Sequence, residues 1–334
     1  MILSNLMMKR KTFSSVLKSL ALSLLLKIPK AAFLYVPILT LTSFLGGVYW
    51  LLELTTHFRL QYFLFAGFFL LIFAPLKMWR WAGVALLCLA INAAYVVPWY
   101  WPANSVQPDA KGERLRLALS NVLWDNKHHA DVIQFVRSEK PDLMFFQEVT
   151  PRWAKEFEIL RAEFPHSRID PADDAGGMAL FSRLPFERAE LAPLADYNGP
   201  AIIAQIRVGG SLLSIVSVHA PPPGGKRNFD HRTEIFDQTA AYLNTLPEPK
   251  ILIGDLNTTM WSPYYKRLVE KIGLKNVREG FGVLPSWPTH LPPLFIPIDH
   301  CLVSQEIQVV NVRTGNRVGS DHLPLIVDLL VPQN

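Results

Sequence analysis

Acidic side chains are nearly missing from the first 103 residues, where Glu53 stands alone against nine lysines and arginines. Of the chain's 33 Lys/Arg and 28 Asp/Glu, this leaves 24 bases and 27 acids for the remaining positions. The overall excess of +5 therefore belongs to the N-terminal segment. The rest lacks the basic surplus of a domain built to hold a polyanion over a broad surface. Cysteine is equally scarce. Cys88 lies in an apolar run and Cys301 in an expected strand, so no disulfide framework is implied and the redox compartment stays open. Internal repeats and low-complexity tracts are missing too.

Long apolar runs fill the first third instead, at about Ala32–Leu52, Leu60–Leu76 and Trp81–Trp101. Each reaches the roughly 17–25 residues that a helix needs to cross a bilayer. Tyr49, Trp50, Trp79, Trp81, Trp99, Tyr100 and Trp101 gather at the run ends, where amphipathic rings prefer the headgroup layer. A cleaved signal peptide would have one short apolar core, and two further runs argue against it. Six Lys/Arg precede the first run, Arg59 alone lies between the first and second, and Lys77 and Arg80 lie between the second and third. The positive-inside rule then predicts a multi-pass protein of the cytoplasmic (inner) membrane, with everything after Trp101 outside the cytoplasm. The stretch 13–26, interrupted by Lys18, reads as an interfacial helix or a fourth span, and a fourth span would invert the topology. The expected division is a basic segment 1–31, three transmembrane helices over 32–101, a proline-containing linker 102–113 and a catalytic domain 114–334.

Beyond the linker, short apolar runs alternate with helical patterns. Strands are expected at Leu115–Ser120, Leu143–Gln147, Met178–Ser182, Ile251–Gly254 and Leu323–Leu330. Ala201–Val208 and Ser211–Val218 flank Gly209-Gly210, a pair suited to a type I′ hairpin turn. Helices are expected at about Ala130–Ser138, Pro151–Glu163, Arg232–Leu243 and Pro263–Ile272. Mixed parallel and hairpin connections predict an α/β sandwich.

Polar clusters end most of these runs: Asn121, Gln147-Glu148, His219, Gly254-Asp255-Leu256-Asn257, Asp299-His300 and Ser320-Asp321-His322. Taken singly, each has an ordinary structural reading. Glu148 could serve the dipole of a helix starting near Pro151, Asp255 could close an Asx-turn, and His219 could be a satisfied core histidine. Together they supply carboxylates, amides and imidazoles from many strand ends. Mg²⁺ and Mn²⁺ take such oxygen ligands together with substrate phosphate. A histidine acting as base needs a partner on its second nitrogen, a role open to Asp299.

This order of motifs, with Gly177–Arg183 among them, resembles the endonuclease/exonuclease/phosphatase superfamily over about Arg114 to Leu330. The resemblance implies a four-layered α/β sandwich, two packed mixed β-sheets flanked by helices, preceded here by transmembrane helices. Carried over position by position, it implies Glu148 as ligand to Mg²⁺ or Mn²⁺, with Asp321 and Asn121 in or near the shell. His322, oriented by Asp299, would activate water, and His219 would stabilise the transition state or protonate the leaving oxygen. Asp255 and Asn257 would position water and phosphate. In an alternative assignment Asp255 is the base and His322 holds phosphate. The membrane-anchored arrangement, with Trp287-Pro288 ahead of Asp299, is similar to a bacterial subgroup.

The implied activity is metal-dependent hydrolysis of phosphate esters, foremost a phosphodiesterase or endonuclease. Lys127-His128-His129 and Lys226-Arg227 could track a nucleic acid. The proline-rich loop Trp287–Pro297 could equally form an apolar rim for a lipid or small phosphoester, or pack beneath the sheet edge. A catalytically dead binding module would have lost at least one core polar residue, and none is missing. The sequence implies no protein partner.

Overall fold

The computed structural model describes residues 27–101, 111–194 and 201–333. The helix expected at 13–26 and the linker residues 102–110 lie outside them. Among the described residues, three helices are long and apolar enough to cross a membrane: α1 (Lys27–Leu45), α2 (Trp50–Phe73) and α3 (Trp79–Tyr100). They meet over a shared apolar seam in which Phe33, Tyr62, Ala66, Phe73, Ala85 and Cys88 are buried.

The remainder contains twelve strands among the described residues: β1 (Glu113–Asn121), β2 (Leu143–Gln147), β3 (His166–Asp170), β4 (Met178–Ser182), β5 (Phe186–Ala192), β6 (Ala201–Val208), β7 (Ser211–Ser217), β8 (Lys250–Asp255), β9 (Lys275–Asn276), β10 (Asp299–Val303), β11 (Gln308–Thr314) and β12 (Leu325–Val331). The helices are α4 (His129–Glu139), α5 (Pro151–Glu156), α6 (Lys226–Leu243) and α7 (Pro263–Ile272). The strands form two six-stranded sheets in the orders β11-β12-β1-β2-β4-β3 and β5-β6-β7-β8-β10-β9. Each sheet has one parallel pair, β1 with β2 and β7 with β8. Parallel neighbours need a crossover, which α4 and α6 supply. The hairpin at Gly209-Gly210 has φ +58° and +90°, as its type requires.

Period-two alternation assigns the layers. Leu115, Leu117, Leu119, Phe145, Ile215, Ile251 and Ile253 point between the sheets. Ala118, Met144 and Phe146 face away from that core, onto Val132, Val136, Trp153 and Phe157. Val216 and Leu252 do the same on the second sheet, meeting Ile235, Phe236 and Leu268 of α6 and α7. The result is the expected four-layered sandwich.

Strands β3, β5 and β11 were not legible as apolar runs. All three are edge strands with largely half-buried faces, and such edges carry charges like those of His166-Ser-Arg-Ile-Asp170. The helix expected over Pro151–Glu163 is α-helical only to Glu156 and tightens to a 3₁₀ helix over Phe157–Ala162.

The apolar helices are not a detached anchor. Val96 joins the second sheet's outer core beside Leu256, Met260 and Trp261. Gly282 N donates to Trp99 O at 2.8 Å, and Trp261 Nε1 donates to Tyr95 O at 2.9 Å. The regular part of α2, Arg59–Phe73, begins where its hydropathy predicts, and a short α-helical turn, Trp50–Glu53, and a 3₁₀ stretch, Leu54–Phe58, extend it toward the N-terminus. These first turns carry the buried polar residues Glu53, Thr56 and His57, and Glu53 and His57 find partners in Arg232 and Thr259 of the sandwich.

At Gly254 the chain passes so close to β7 that an added Cβ would lie 1.8 Å from Val218 O. A Gly254→Ala substitution is expected to destabilise the protein by roughly 1–3 kcal/mol or more. The midpoint of thermal unfolding of the full chain in detergent checks this, and an unchanged midpoint would contradict the packing described.

Candidate active site

The C-terminal ends of both parallel pairs open on the same edge of the sandwich. Asn121 and Gln147 close β1 and β2, while His219 follows β7 and Asp255 closes β8. Asp299 opens the antiparallel β10, opposite Asp255, and Asp321-His322 lies on the approach to β12.

Gln147 fastens the two sheets together at this edge. Its Nε2 donates to Val218 O at 2.7 Å and its Oε1 accepts from Asp255 N at 2.8 Å. Both partners belong to the other sheet, so one amide satisfies two backbone groups that the close approach would leave dry.

Asp255, 1% exposed, sits at the centre. Its Oδ1 accepts from Asn257 N at 2.8 Å. Its Oδ2 faces Asn257 Nδ2 at 3.3 Å, Asn121 Nδ2 at 3.4 Å, and the Nε2 atoms of His219 and His322, each at 3.7 Å. His322 Nδ1 is 2.9 Å from Asp299 Oδ2, which turns Nε2 inward. His219 Nδ1 lies 3.1 Å from Ala175 O, which directs its Nε2 to the same space. Asn257 Nδ2 also donates to Ala220 O at 2.8 Å.

Burial shapes the charges. Loss of solvent pushes Asp255 well above the usual carboxylate range, with Asp299 adding repulsion and His322 opposing both. Burial would raise Asp299 too, but the His322 charge and hydrogen bond, aided by Ser286 and Arg278, bring it below its ordinary value. His322 is drawn up to about 10 because Asp299 and Asp255 outweigh its burial. His219 is pushed down, chiefly by burial. His300 is a separate matter: burial and the nearby Arg278 bring it down to about 3, and its Nε2 bonds Thr258 O beneath the loop at 2.9 Å.

Beside this group, Glu148 stands at φ +63° immediately after β2. It accepts from Asn121 Nδ2 at 2.8 Å and from Trp124 N at 3.1 Å. Asp321 accepts from Trp287 Nε1 at 2.9 Å through Oδ2, whereas its Oδ1 is buried without a hydrogen bond. Ser320 Oγ donates to Asn121 O at 2.8 Å, so the Glu148 and Asp321 arms both hang on Asn121. Asp321 Oδ1 faces His322 Nε2 at 3.9 Å, and carboxylate oxygens of this kind suit a hard dication. Asn121 itself is engaged as a brace, its Oδ1 taking Leu123 N at 3.0 Å. Ligand atoms of Asp255, Asp299 and His322 also lie within 4.8 Å of one another. Two of these, Asp299 and His322, already pair with each other, and a charged imidazole repels a dication, so the carboxylates of Glu148 and Asp321 are further candidates to hold a metal.

Asn121, Glu148, His219, Asp255, Asn257, Asp299, Asp321 and His322 thus reach this one edge, whereas His300 packs beneath the loop. Sequence reading did not single out the inter-sheet role of Gln147, the backbone contribution of Trp124, or Arg232, whose Nη1 donates to Asn257 O at 2.8 Å. The wider fringe holds Lys127 and Arg152, both exposed, with Arg152 Nη2 2.8 Å from His129 Nε2. Lys226 is paired within its own helix to Asp230 at 2.6 Å.

A family model described as the endonuclease/exonuclease/phosphatase family matches residues 118–322. No curated protein matches the chain. Among solved structures, a conserved protein of unknown function from Enterococcus faecalis superposes with a TM-score of 0.55 at 14% identity, covering 65% of this chain and 100% of its own. TDP2 from D. rerio, complexed with a single-strand DNA product, gives 0.53 at 18% identity over 65% of this chain and 98% of its own. An endonuclease/exonuclease/phosphatase from Beutenbergia cavernae gives 0.51 at 18%, over 66% and 72%. At these identities the likeness is one of fold.

Replacing Gln147 with Leu keeps the volume but strands the Asp255 amide and the Val218 carbonyl. Each such buried orphan costs about 1–3 kcal/mol. The variant is expected to unfold at lower temperature and to lose amide protection at Asp255, as hydrogen exchange of the full chain would show. Unaltered protection there would exclude the clamp.

Proposed function

The chain belongs to the endonuclease/exonuclease/phosphatase family, and on that premise we propose that it is a membrane-anchored, divalent-metal-dependent phosphodiesterase. The observation that carries this reading is the buried line Asp299–His322–Asp255, with spacings of 2.9 and 3.7 Å, beside the carboxylates of Glu148 and Asp321. Mg²⁺ or Mn²⁺ held by Glu148 and Asp321 would supply Lewis-acid charge to a phosphate oxygen. The chain's own groups do the rest.

Asp299 holds the imidazole of His322 so that Nε2 faces Asp255. A water accepted between those two atoms gives its proton to one of them as its oxygen bonds to phosphorus. His322 is the base in the first assignment, which requires Nε2 to be free of the proton that Asp299 and Asp255 favour on the imidazole. Asp255 is the base in the second, with His322 then binding the phosphate. His219, tied through Nδ1, is placed to protonate the leaving oxygen when its Nε2 carries a proton. Asn257 keeps the Asp255 carboxylate in register.

The half-exposed Trp124, whose N–H donates to Glu148, and the exposed Lys127 and Arg152 favour an anionic polymer such as a nucleic acid, through stacking and phosphate contacts. A second reading, a lipid or small phosphoester, has its own support. The loop leading to Asp299 exposes Leu291 and Leu294, and Gln61 of α2 donates to its Phe295 O at 2.6 Å, which would set that wall of the site beside the bilayer.

Sidedness follows from charge. Lys77 and Arg80 lie at the α2–α3 turn, away from the catalytic domain, whereas Arg59 on the domain side is buried against Asn92 and Tyr95. Positive-inside then supports a cytoplasmic-membrane protein with its site outside the cytoplasm.

Full-length protein in detergent is expected to hydrolyse bis(p-nitrophenyl) phosphate or nick supercoiled plasmid with Mg²⁺ or Mn²⁺, and to stop with EDTA. His322→Ala and Asp299→Asn should each lower the rate by roughly 10²–10⁴-fold. Folded, metal-supplied protein inactive on these and on phospholipid vesicles would sink the proposal. Activity on vesicles alone would select the lipid reading.

A further inference from the structure

The lone acid of the apolar segment points away from its neighbours and into the catalytic domain. Glu53 is fully buried, as is Arg232 of α6. Glu53 Oε1 lies 3.0 Å from Arg232 Nη2 and accepts from Ser262 Oγ at 2.7 Å, with Thr258 Oγ1 at 3.4 Å. Its Oε2 is 3.3 Å from His57 Nε2, and His57 Nδ1 is 3.1 Å from Thr259 Oγ1. Thr258, Thr259 and Ser262 all belong to the short loop that leaves Asp255-Leu256-Asn257 and enters α7.

Arg232 closes the circuit. Its guanidinium is a rigid fork, with one arm on Glu53 and the other, Nη1, on Asn257 O at 2.8 Å. Asn257 has φ +47°, so its backbone needs outside support to hold that conformation. It in turn donates N–H to Asp255 Oδ1 at 2.8 Å.

We propose that Glu53, through Arg232, is a positioning residue for the Asp255–Asn257 loop, so that the apolar helices form part of the active site's framework and do not merely tether it. A carboxylate inside a span-length helix has no solvent to stabilise it, and the catalytic domain supplies its partners. In return the loop gains a fixed outer wall. A dedicated ion pair is unnecessary for tethering, because the apolar contacts at Val96, Tyr95 and Trp99 already join the two parts. The inference rests on the reading of Asp255 and Asn257 as reaction groups, and its test has one readout that does not.

The test compares full-length wild type, Glu53→Gln and Arg232→Lys in detergent. Hydrogen exchange is followed over 255–262 with β2 as internal reference, together with kcat and KM on bis(p-nitrophenyl) phosphate. Glu53→Gln keeps the shape and removes the charge. Arg232→Lys keeps a cation for Glu53 and loses the second arm to Asn257 O, so it covers the case in which Glu53→Gln fails to fold. The expected result is faster exchange across 255–262 with β2 unchanged, and a kcat roughly 10–100-fold lower at similar KM, the cost of a slightly misplaced group. Wild-type exchange in the loop of the folded variants would overturn the proposal. So would normal kcat despite loosened exchange, or exchange rising equally in β2, which would mark a purely structural pair. Loosened exchange in a protein whose wild type hydrolyses nothing would keep the loop coupling and reject the phosphodiesterase.

Discussion

A carboxylate removed from water must be stabilised by whatever surrounds it, and Asp255 imposes that requirement on the whole edge of the sandwich where the strand ends converge. Two amides, a backbone N–H and two imidazoles converge on its two oxygens. They come from β1, β7, β8 and the turn before β12, so no single supersecondary unit could assemble them. The two sheets must therefore meet in one register at this edge, and Gln147 holds them there. The packing of Leu117, Leu119, Ile215 and Ile253 between the sheets brings the strands together. The amide of Gln147 then fixes how far Asp255 stands from Asn121.

The same logic governs the buried charges farther out. An isolated Glu53 in an apolar helix would cost several kcal/mol, and Arg232 buried alone would cost as much. Joined, with the Ser262 hydroxyl donating to Glu53 Oε1 and the His57 imidazole beside Oε2, each makes the other tolerable. Neither the apolar helices nor the catalytic domain is thus complete in polar terms without the other. A domain cut near Pro102 would leave Arg232 and the outer face of Met260 and Trp261 without partners.

Much of this was legible in the sequence because it is local. Buried parallel strands announce themselves as apolar runs, and chemistry at their C-terminal ends is written directly after them, as at Gln147-Glu148 and Gly254–Asn257. Strands β2, β4 and β6 fall at the expected residues because they are largely buried, although only β2 has a parallel neighbour, and helix α7 does so because its apolar residues recur at helical spacing. Edge strands β3, β5 and β11 carry charges on faces that solvent reaches, so their pattern dissolves. The pairing of Asp299 with His322 was inferred from the resemblance and the needs of an imidazole, and the structure places the two at bonding distance. The clamp at Gln147 was not legible, because an amide at a strand end says nothing about the sheet opposite.

Glu53 marks the boundary of what hydropathy can reveal. Averaged over a span-length window, one acid barely lowers the mean, so the second helix reads as starting near Leu60 and Glu53 as part of a turn. Physical cost reads it differently. In a segment otherwise without acids, a carboxylate that reached solvent would be unremarkable, but one flanked by Leu51, Leu52 and Leu54 must find a cation or stay protonated. His57, one helical turn on, is too weak a partner by itself because it is charged only when protonated. The requirement therefore points outside the apolar segment, to an always-charged arginine on a helix of the catalytic domain. That arginine's second arm ends on the loop that carries Asp255 and Asn257.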